Sequence, residues 1–173
     1  EYLRNTNPSK PIYAVGFSLG GNVLLKYLGE SKEEAIIDAA VAVSVPYSLK
    51  ECSQQINSGL SKLYGRMLLN SLKESARRKM RIHQTSSIYG LTLETIEGFK
   101  TIREFDDRVV APMWGFQDAL DYYEKCSSKQ FLRSIARPTL LIHSRDDPFM
   151  TPKVIPKSND LAPETILEVS RFG

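Results

Sequence analysis

The sequence predicts an α/β fold, with a mostly parallel sheet and helices on both of its faces. Short apolar runs alternate with segments of helical periodicity along the 173 residues, and strands that alternate with helices build parallel sheets. The runs are rich in β-branched residues, as buried strands are. Hydrophobic residues make up 42% of the chain and charged residues 25%, which indicates a packed core and argues against disorder.

The predicted elements follow one another in a regular order. Strands are predicted over residues 11–15, 39–45, 138–144 and 165–170. Helices are predicted over residues 3–7, 22–28, 117–125 and 129–135. A tight turn over 16–21 joins the first strand to the second helix, which Gly29 is expected to end. Pro46 stops the second strand.

A long helical segment interrupts this alternation. Residues 48–110 carry helical periodicity and few strand signals. Apolar residues recur there at threes and fours and predict one apolar helix face, formed by Leu60, Leu63, Tyr64, Met67, Leu68 and Leu72. We interpret residues 46–112, approximately, as a cap over the C-terminal edge of the sheet, where such sheets place their sites. The expected organisation is one partial domain over 1–173 with this insert.

The turn after the first strand contains a candidate nucleophile. Gly16-Phe17-Ser18-Leu19-Gly20 matches the pattern Gly-x-Ser-x-Gly. The pattern alone is weak, but here a buried strand leads into it and an amphipathic helix leaves it, which is the arrangement that lifts a serine hydroxyl clear of a sheet. Side chains at Gly16 and Gly20 are expected to collide across the turn, and the N–H of Leu19 could stabilise an oxyanion. The alternative is a glycine-rich turn with an idle serine.

The segment Gly16 to Asn22, Gly-Phe-Ser-Leu-Gly-Gly-Asn, resembles the YheT-like family of α/β-hydrolases. Further residues fall at the spacings of that family: Asp106, Gly115, Phe116, Asp121, Tyr122, Tyr123, Ser127, Ile135, Pro138, Asp146 and Asp147. The resemblance spans nearly the whole chain and implies an α/β-hydrolase fold with a Ser-Asp-His triad. It implies esterase or lipase activity on acyl esters, and some relatives cleave phospholipids or make fatty-acid ethyl esters. The family's earlier strands, with an oxyanion loop, are missing from this chain.

The acid of such a triad follows a late buried strand, because the order in this fold is serine, acid, histidine. The turn Arg145-Asp146-Asp147-Pro148 follows the third predicted strand. Two neighbouring aspartates cannot both face one histidine. The resemblance favours Asp147, whose role would be to orient the imidazole. The alternative is a polar turn with two solvated charges.

The base has no candidate in the expected position. The only histidines, His83 and His143, both precede Asp147. We interpret His143 as a packed neighbour of the acid turn and His83 as exposed at the end of a basic helix. The resemblance places the histidine just after the last strand, close to Gly173. We therefore expect the chain to be a fragment, cut before Glu1 and ending before its catalytic histidine.

Charge and aromatic content leave two features open. The net charge is only +3, too small to indicate nucleic-acid binding. Residues 60–82 hold seven basic residues against Glu74, which gives 7 − 1 = +6, so this helix could make weak contact with an anionic membrane or could be a solvated face over the hydrolase core. Trp114, Phe116, Tyr122 and Tyr123 could line an acyl pocket or belong to a core.

The cysteines and the absence of cofactor motifs limit the cofactors and the cellular compartment that we expect. Cys52 and Cys126 are far apart without CxxC spacing, which favours a reducing, cytoplasmic location over a disulfide or zinc site. No metal cluster, phosphate loop or dinucleotide fingerprint is present, so no cofactor is expected. No apolar run reaches the roughly 18 residues of a membrane span. The expected partner is a small acyl ester or lipid substrate, without an obligate protein partner. The alternatives are an acyltransferase or a non-catalytic hydrolase-fold binding protein.

Overall fold

The computed structural model describes residues 2–6, 8–85 and 87–173. The chain forms two compact units. The first, here called the sheet unit, comprises residues 1–52 and 126–173. The second, the inserted unit, comprises residues 53–125.

Helices and strands alternate in the sheet unit and helices dominate the inserted unit. In chain order the elements are α1 (Tyr2–Thr6), β1 (Tyr13–Phe17), α2 (Leu19–Ser31), β2 (Ala39–Val43), α3 (Leu49–Gln55), α4 (Ser61–Ile82), β3 (Ser87–Ile88), β4 (Leu91–Thr92), α5 (Leu93–Gly98), α6 (Ile102–Phe105), α7 (Ala111–Met113), α8 (Ala119–Cys126), β5 (Thr139–Ser144) and β6 (Thr165–Ser170). A π-helical turn covers Asp106–Val110, and 3₁₀ turns cover Lys32–Glu34, Ser128–Ser134, Pro152–Val154 and Ser158–Asp160.

The sheet has the order β1-β2-β5-β6, and all of its neighbouring strands are parallel. Gly16 of β1 pairs with Ala42 of β2, which pairs in turn with Leu141 of β5. The predicted α/β class with a parallel sheet is therefore confirmed, and β6 has the predicted bounds. The first strand begins two residues later than predicted, because Pro11 has no N–H to donate to the sheet.

The two faces of the sheet differ in burial. On one face Ala40, Ala42 and Leu141 pack with Leu25 and Leu28 of α2 in a single apolar cluster. The alternate side chains of β1 point to the opposite face. Tyr13 is 72% exposed there, Val15 60% and Phe17 67%. Within the described residues, the apolar core of the sheet unit thus lies on one side of the strands.

The prediction that Gly29 ends the second helix is wrong, since α2 continues to Ser31. Gly29 is buried inside the helix, and a Cβ atom there would lie 2.4 Å from the carbonyl oxygen of Phe131. The glycine is needed for close packing against the 3₁₀ turn Ser128–Ser134. The low helix propensity of glycine predicts a helix end, but here the packing of Gly29 outweighs that propensity.

The predicted apolar face of α4 is also not the buried one. Five of its six residues, Leu60, Leu63, Tyr64, Met67 and Leu68, are exposed, and only the sixth, Leu72, is half-buried against the core of the inserted unit. The buried residues of the helix are Ser61, Gly65, Leu69, Lys73, Ala76 and Met80. The buried side includes three small residues, Ser61, Gly65 and Ala76, which allow close approach. A Cβ atom at Gly65 would lie 2.7 Å from the carbonyl oxygen of Ile56. Apolarity alone therefore selected the wrong side of the helix.

The inserted unit has a core of its own. Leu69 and Met80 of α4 pack there with Ile96, Phe99 and Phe105. Strands β3 and β4 form a short antiparallel hairpin that was not predicted. Its two turn residues, Tyr89 and Gly90, have positive φ angles of 50° and 74°, respectively. Type I′ hairpin turns require a positive φ at both central residues.

Candidate active site

Ser18 occupies the turn between β1 and α2 in a strained backbone conformation. Its φ is 49° and its ψ is −123°, a region that non-glycine residues rarely adopt. The turn is held on both sides, since the Ser18 N–H donates to the Val43 carbonyl at 2.9 Å and the Ser18 carbonyl accepts from Asn22 at 3.1 Å. The side chain of Ser18 is exposed. The turn thus presents a serine hydroxyl at the carboxyl end of β1.

Two glycines permit this turn, and one of them differs from the prediction. A Cβ atom at Gly16 would lie 2.7 Å from the Cα of Gly21, and one at Gly21 would lie 2.6 Å from the Val45 side chain. At Gly20, by contrast, a Cβ atom would meet no described atom within 4 Å. The expected collision at Gly20 is therefore wrong. Gly21 is the residue that faces Gly16. It is the first buried residue of α2, whereas Gly20 is exposed, so Gly21 lies on the side of the helix that approaches β1.

Leu19 is the first residue of α2, a helix of 13 residues. The first N–H groups of a helix have no partner within it, and they carry the positive end of the helix dipole. The Leu19 N–H follows Ser18 directly. It is therefore available to an oxygen that becomes negative next to the serine hydroxyl.

The acid turn follows β5 and contains both candidate carboxylates. Asp147 is half-buried, and its Oδ1 accepts a hydrogen bond from the Phe149 N–H at 2.8 Å. Asp146 is exposed, and its Oδ1 accepts from the Gly173 N–H at 3.0 Å. The two side chains therefore bind different segments. Asp146 ties the turn to the residues after β6, whereas Asp147 organises the turn itself.

The charge of Asp147 acts on two neighbouring side chains of the sheet unit. Burial raises the pKa of the Cys52 thiol to about 12, and the carboxylates of Glu51 and Asp147 add to that effect. Burial lowers the pKa of His143, which the charge of Asp147 partly offsets. Asp147 therefore lies within electrostatic range of both groups.

His143 is a core residue of β5. Its side chain is 2% exposed and packs against the ring of Tyr47, with 5.8 Å between the ring centroids. Its Nδ1 has no hydrogen-bond partner among the described residues. His83 follows α4 in the inserted unit and is exposed. His143 is thus buried within β5, just before the acid turn, in agreement with its interpretation as a packed neighbour of that turn.

Sequence reasoning did not predict the structural roles of Asn22 and Ser44. Asn22 is 1% exposed, and its side chain accepts from the Ser128 N–H at 2.9 Å and donates to the Cys126 carbonyl at 2.8 Å. It ties α2 to the chain 104 to 106 residues away. Ser44 follows β2 with a φ of 50°, and its N–H donates to the Ile142 carbonyl at 2.9 Å. The available signal for Asn22 was a polar residue at the start of an apolar predicted helix. No sequence signal indicated Ser44.

The predicted aromatic residues form part of the inserted unit. Phe116, Tyr122 and Tyr123 lie in contact, with centroid distances of 5.3 Å and 5.5 Å between successive rings. Tyr123 is 2% exposed and Trp114 71% exposed. The hydroxyl of Tyr123 donates to Asp106 at 2.6 Å. Tyr123 is therefore a core residue of that unit.

Ser18 and Asp147 lie at the same edge of the sheet. Both follow the carboxyl ends of parallel strands, and only β2 stands between β1 and β5. Strands in a sheet are about 4.8 Å apart, so roughly 10 Å separates the two strand ends. An imidazole that was hydrogen-bonded to both side chains could span such a separation.

A parallel sheet with a serine at a strained strand-to-helix turn is the arrangement of an α/β-hydrolase. A family model described as the alpha/beta hydrolase fold matches residues 1–171, and the chain belongs to this family. Over all 173 residues it is 42% identical to "Putative esterase YheT" of Escherichia coli (strain K12), of which it covers 50%. This similarity confirms the resemblance to YheT-like proteins.

Two further relatives carry names that refer to lipids. The chain is 30% identical to the monoacylglycerol lipase of Saccharomyces cerevisiae, with 86% of this chain and 34% of that protein covered. It is also 30% identical to the human phospholipase ABHD3, with 100% of this chain and 42% of that protein covered. The chain thus spans about a third to a half of the length of these relatives.

Proposed function

We propose that this chain supplies the nucleophile and the acid of a serine hydrolase that cleaves carboxylic esters. The observation that supports this most directly is the backbone of Ser18, with a φ of 49° at a strand-to-helix turn. Strain of this kind costs on the order of 1 to 3 kcal/mol and persists where the surrounding structure enforces it. Ser44 also has a positive φ, but Ser18 is followed directly by the first residue of α2, whose N–H can stabilise an oxyanion.

In this mechanism the Ser18 hydroxyl attacks the ester carbonyl carbon and its proton passes to an imidazole. The Leu19 N–H stabilises the oxyanion of the tetrahedral intermediate. Collapse of that intermediate expels the alcohol, which takes the proton from the imidazolium and leaves an acyl group on Ser18. Water then attacks the acyl carbon and gives a proton to the imidazole. The bond to the Ser18 oxygen breaks, Ser18 takes that proton back, and the carboxylic acid product is released. Asp147 keeps the imidazole in the productive tautomer.

The histidine of this mechanism lies outside the 173 residues. His143 is buried in β5, and both His143 and His83 precede Asp147, against the order serine, acid, histidine. The substrate class is a small acyl ester or a lipid, since relatives are named esterase, monoacylglycerol lipase and phospholipase.

A fluorophosphonate probe tests the nucleophile in the intact protein. We expect labelling at Ser18 and its loss in Ser18→Ala. Ser44→Ala is the matched control, because Ser44 also has a positive φ and follows the neighbouring strand. Ser44→Ala should label as the unchanged protein does. Equal labelling of Ser18→Ala would reject the assignment, and absence of labelling in the unchanged protein would favour a binding protein.

A further inference from the structure

The outward face of α4 is apolar in its first half. Leu60 is 91% exposed, Leu63 64% and Met67 62%, and Tyr64 and Leu68 are exposed as well. These residues recur at threes and fours, so they follow one side of the helix over more than two turns. They form a contiguous apolar stripe, here called the α4 stripe.

The α4 stripe faces away from the core of its own unit. The residues that α4 buries, among them Ser61, Leu69, Ala76 and Met80, also recur at threes and fours. At 100° per residue their average direction is roughly opposite to that of the α4 stripe. The core of the inserted unit is formed without the α4 stripe, and the side chains of Leu60, Leu63, Met67 and Leu68 are exposed to solvent.

The same side of the helix becomes cationic in its second half. Arg78 and Arg81 continue the spacing of the stripe, and both are exposed. Neither forms an ion pair or side-chain hydrogen bond in the described part of the chain. The one acidic residue of the helix, Glu74, is paired with Arg77, which also pairs with Glu97. The outward face thus combines an apolar stripe with the ion pair of Glu74 and Arg77 and with the two further guanidinium groups of Arg78 and Arg81.

We propose that this face of α4 binds an anionic lipid bilayer, with the α4 stripe at the boundary of headgroups and acyl chains and with Arg78 and Arg81 on the lipid phosphates. Helices that lie in a membrane interface have this combination of apolar and basic residues. The helix has 22 residues, about 33 Å of length, so one side of it presents a long contact line. No helix among the described residues is long and apolar enough to cross a membrane.

Charge distinguishes a bilayer from a second copy of the chain. Two copies of α4 packed in parallel would bring Arg78 and Arg81 of each copy against those of the other. Packed antiparallel, they would press the arginines of each copy onto the apolar stripe of the other and remove them from water without a partner, which is costly. An anionic bilayer supplies an apolar layer for the first half of α4 and lipid phosphates for the arginines of its second half.

Vesicle flotation of the intact protein tests the proposal. Binding is measured with pure phosphatidylcholine vesicles and with vesicles that also contain phosphatidylglycerol, at low and at high salt. We expect binding to the anionic vesicles that weakens with salt. Leu63→Gln with Met67→Gln should lower the partition coefficient by about tenfold or more. Arg78→Glu with Arg81→Glu should lower it by at least about fivefold for each residue.

Two control pairs lie elsewhere in the inserted unit. Arg103→Glu with Arg108→Glu makes the same change of charge at two exposed arginines, and Trp114→Gln with Leu120→Gln removes two exposed apolar side chains. Both pairs should bind as the unchanged protein does. Circular dichroism checks that every variant is folded. Ser18→Ala should also retain binding, because the proposal does not depend on the role of Ser18.

Three results would overturn the proposal. The first is binding that is equal on neutral and anionic vesicles. The second is a control pair that loses as much binding as the α4 pairs. The third is absence of vesicle binding. If a second copy covers the α4 stripe instead, light scattering should show a dimer, and Leu63→Gln with Met67→Gln should dissociate it.

Discussion

Ser18 is distinguished by its backbone geometry, and Asp147 differs from Asp146 in hydrogen bonding and not in chemistry. Asp146 and Asp147 carry the same group, yet Asp146 binds the Gly173 N–H and Asp147 the Phe149 N–H. Sequence reasoning could predict the turn that carries Ser18, because such a turn needs glycines. It could not separate the aspartates from the residues alone, since the distinction arises from the partner of each carboxylate: a distant N–H for Asp146 and an N–H of the same turn for Asp147.

The choice of Asp147 as the acid predicts a ranking of two variants. Asp147→Asn should lower ester turnover by about ten-thousand-fold, as the corresponding change does in a serine protease triad, because the imidazole adopts the wrong tautomer. Asparagine keeps Oδ1, so the hydrogen bond from Phe149 survives and the turn stays folded. Asp146→Asn should cost far less. Turnover of purified variants with matched thermal stability decides the question, and the reverse ranking would assign the role to Asp146.

The glycines of the serine turn show how far a motif predicts geometry. The pattern identified Gly16 correctly as a position without room for a side chain, but it assigned the second contact to Gly20, whereas Gly21 makes it. The pattern records which residues occur and not which atoms face each other. A helix advances by 100° per residue, so a shift of one residue moves a side chain to another face.

At the scale of elements, strands were more predictable than helix faces. Each strand of the parallel sheet is a short apolar run, and its predicted bounds were within two residues of the structure. Helix α4 was predicted as a helix, but its buried side was not, because Gly65 and Ala76 contribute to packing through their small size. Lys73 is buried as well, since its Nζ donates to the carbonyls of Glu97 and Phe99 at 2.7 Å and 2.8 Å. A lysine that binds the end of α5 cannot be recognised from periodicity.

The π-helical turn of the inserted unit carries a carboxyl group whose ionisation should affect stability. Burial raises the pKa of Asp106 from 3.8 to about 6, although the hydrogen bond from Tyr123 opposes the change. Near pH 3 the group is neutral in the folded and the unfolded chain. Between about pH 4 and pH 6 the unfolded chain releases the proton first, so the free energy of unfolding falls as the pH rises through this window. The total loss is on the order of 1 to 3 kcal/mol.

This pH dependence can be measured through Trp114, the single tryptophan of the chain, which lies in the same unit. Thermal unfolding followed by its fluorescence should give a melting temperature that declines from pH 4 to pH 6. Asp106→Asn should flatten that decline, because the amide does not titrate. The exposed Asp118→Asn removes one carboxyl group from the surface and serves as control. A decline that persists unchanged in Asp106→Asn would show that another group is responsible.

At the scale of the whole molecule, the order of elements indicated the class of fold, and the resemblance added the hydrolase assignment. Parallel strands joined by helices leave few arrangements, and the carboxyl ends of β1 and β5 necessarily share one edge. The division into a sheet unit and an inserted unit depends instead on contacts such as Phe99 with Phe105. These contacts join residues whose pairing no short pattern encodes.

The placement of the two histidines predicts the behaviour of residues 1–173 on their own. His143 is held inside the core against Tyr47, with a pKa lowered by burial, and His83 lies in the inserted unit before the acid. Neither can take the proton of Ser18 in the order that the fold requires. A serine hydroxyl without a base is a weak nucleophile at neutral pH. We therefore expect no triad-level esterase activity from these residues alone.

The measurement compares turnover of short-chain p-nitrophenyl esters by residues 1–173 and by their Ser18→Ala variant. Both should give the same low rate. The exposed side chains of Tyr13, Val15 and Phe17 form an apolar face on β1 that favours association, so the assay uses material shown to be monomeric by light scattering. Robust turnover that disappears in Ser18→Ala would require a base within these residues. His143→Gln would then distinguish the two histidines, because loss of that turnover would identify His143 and its retention would leave His83.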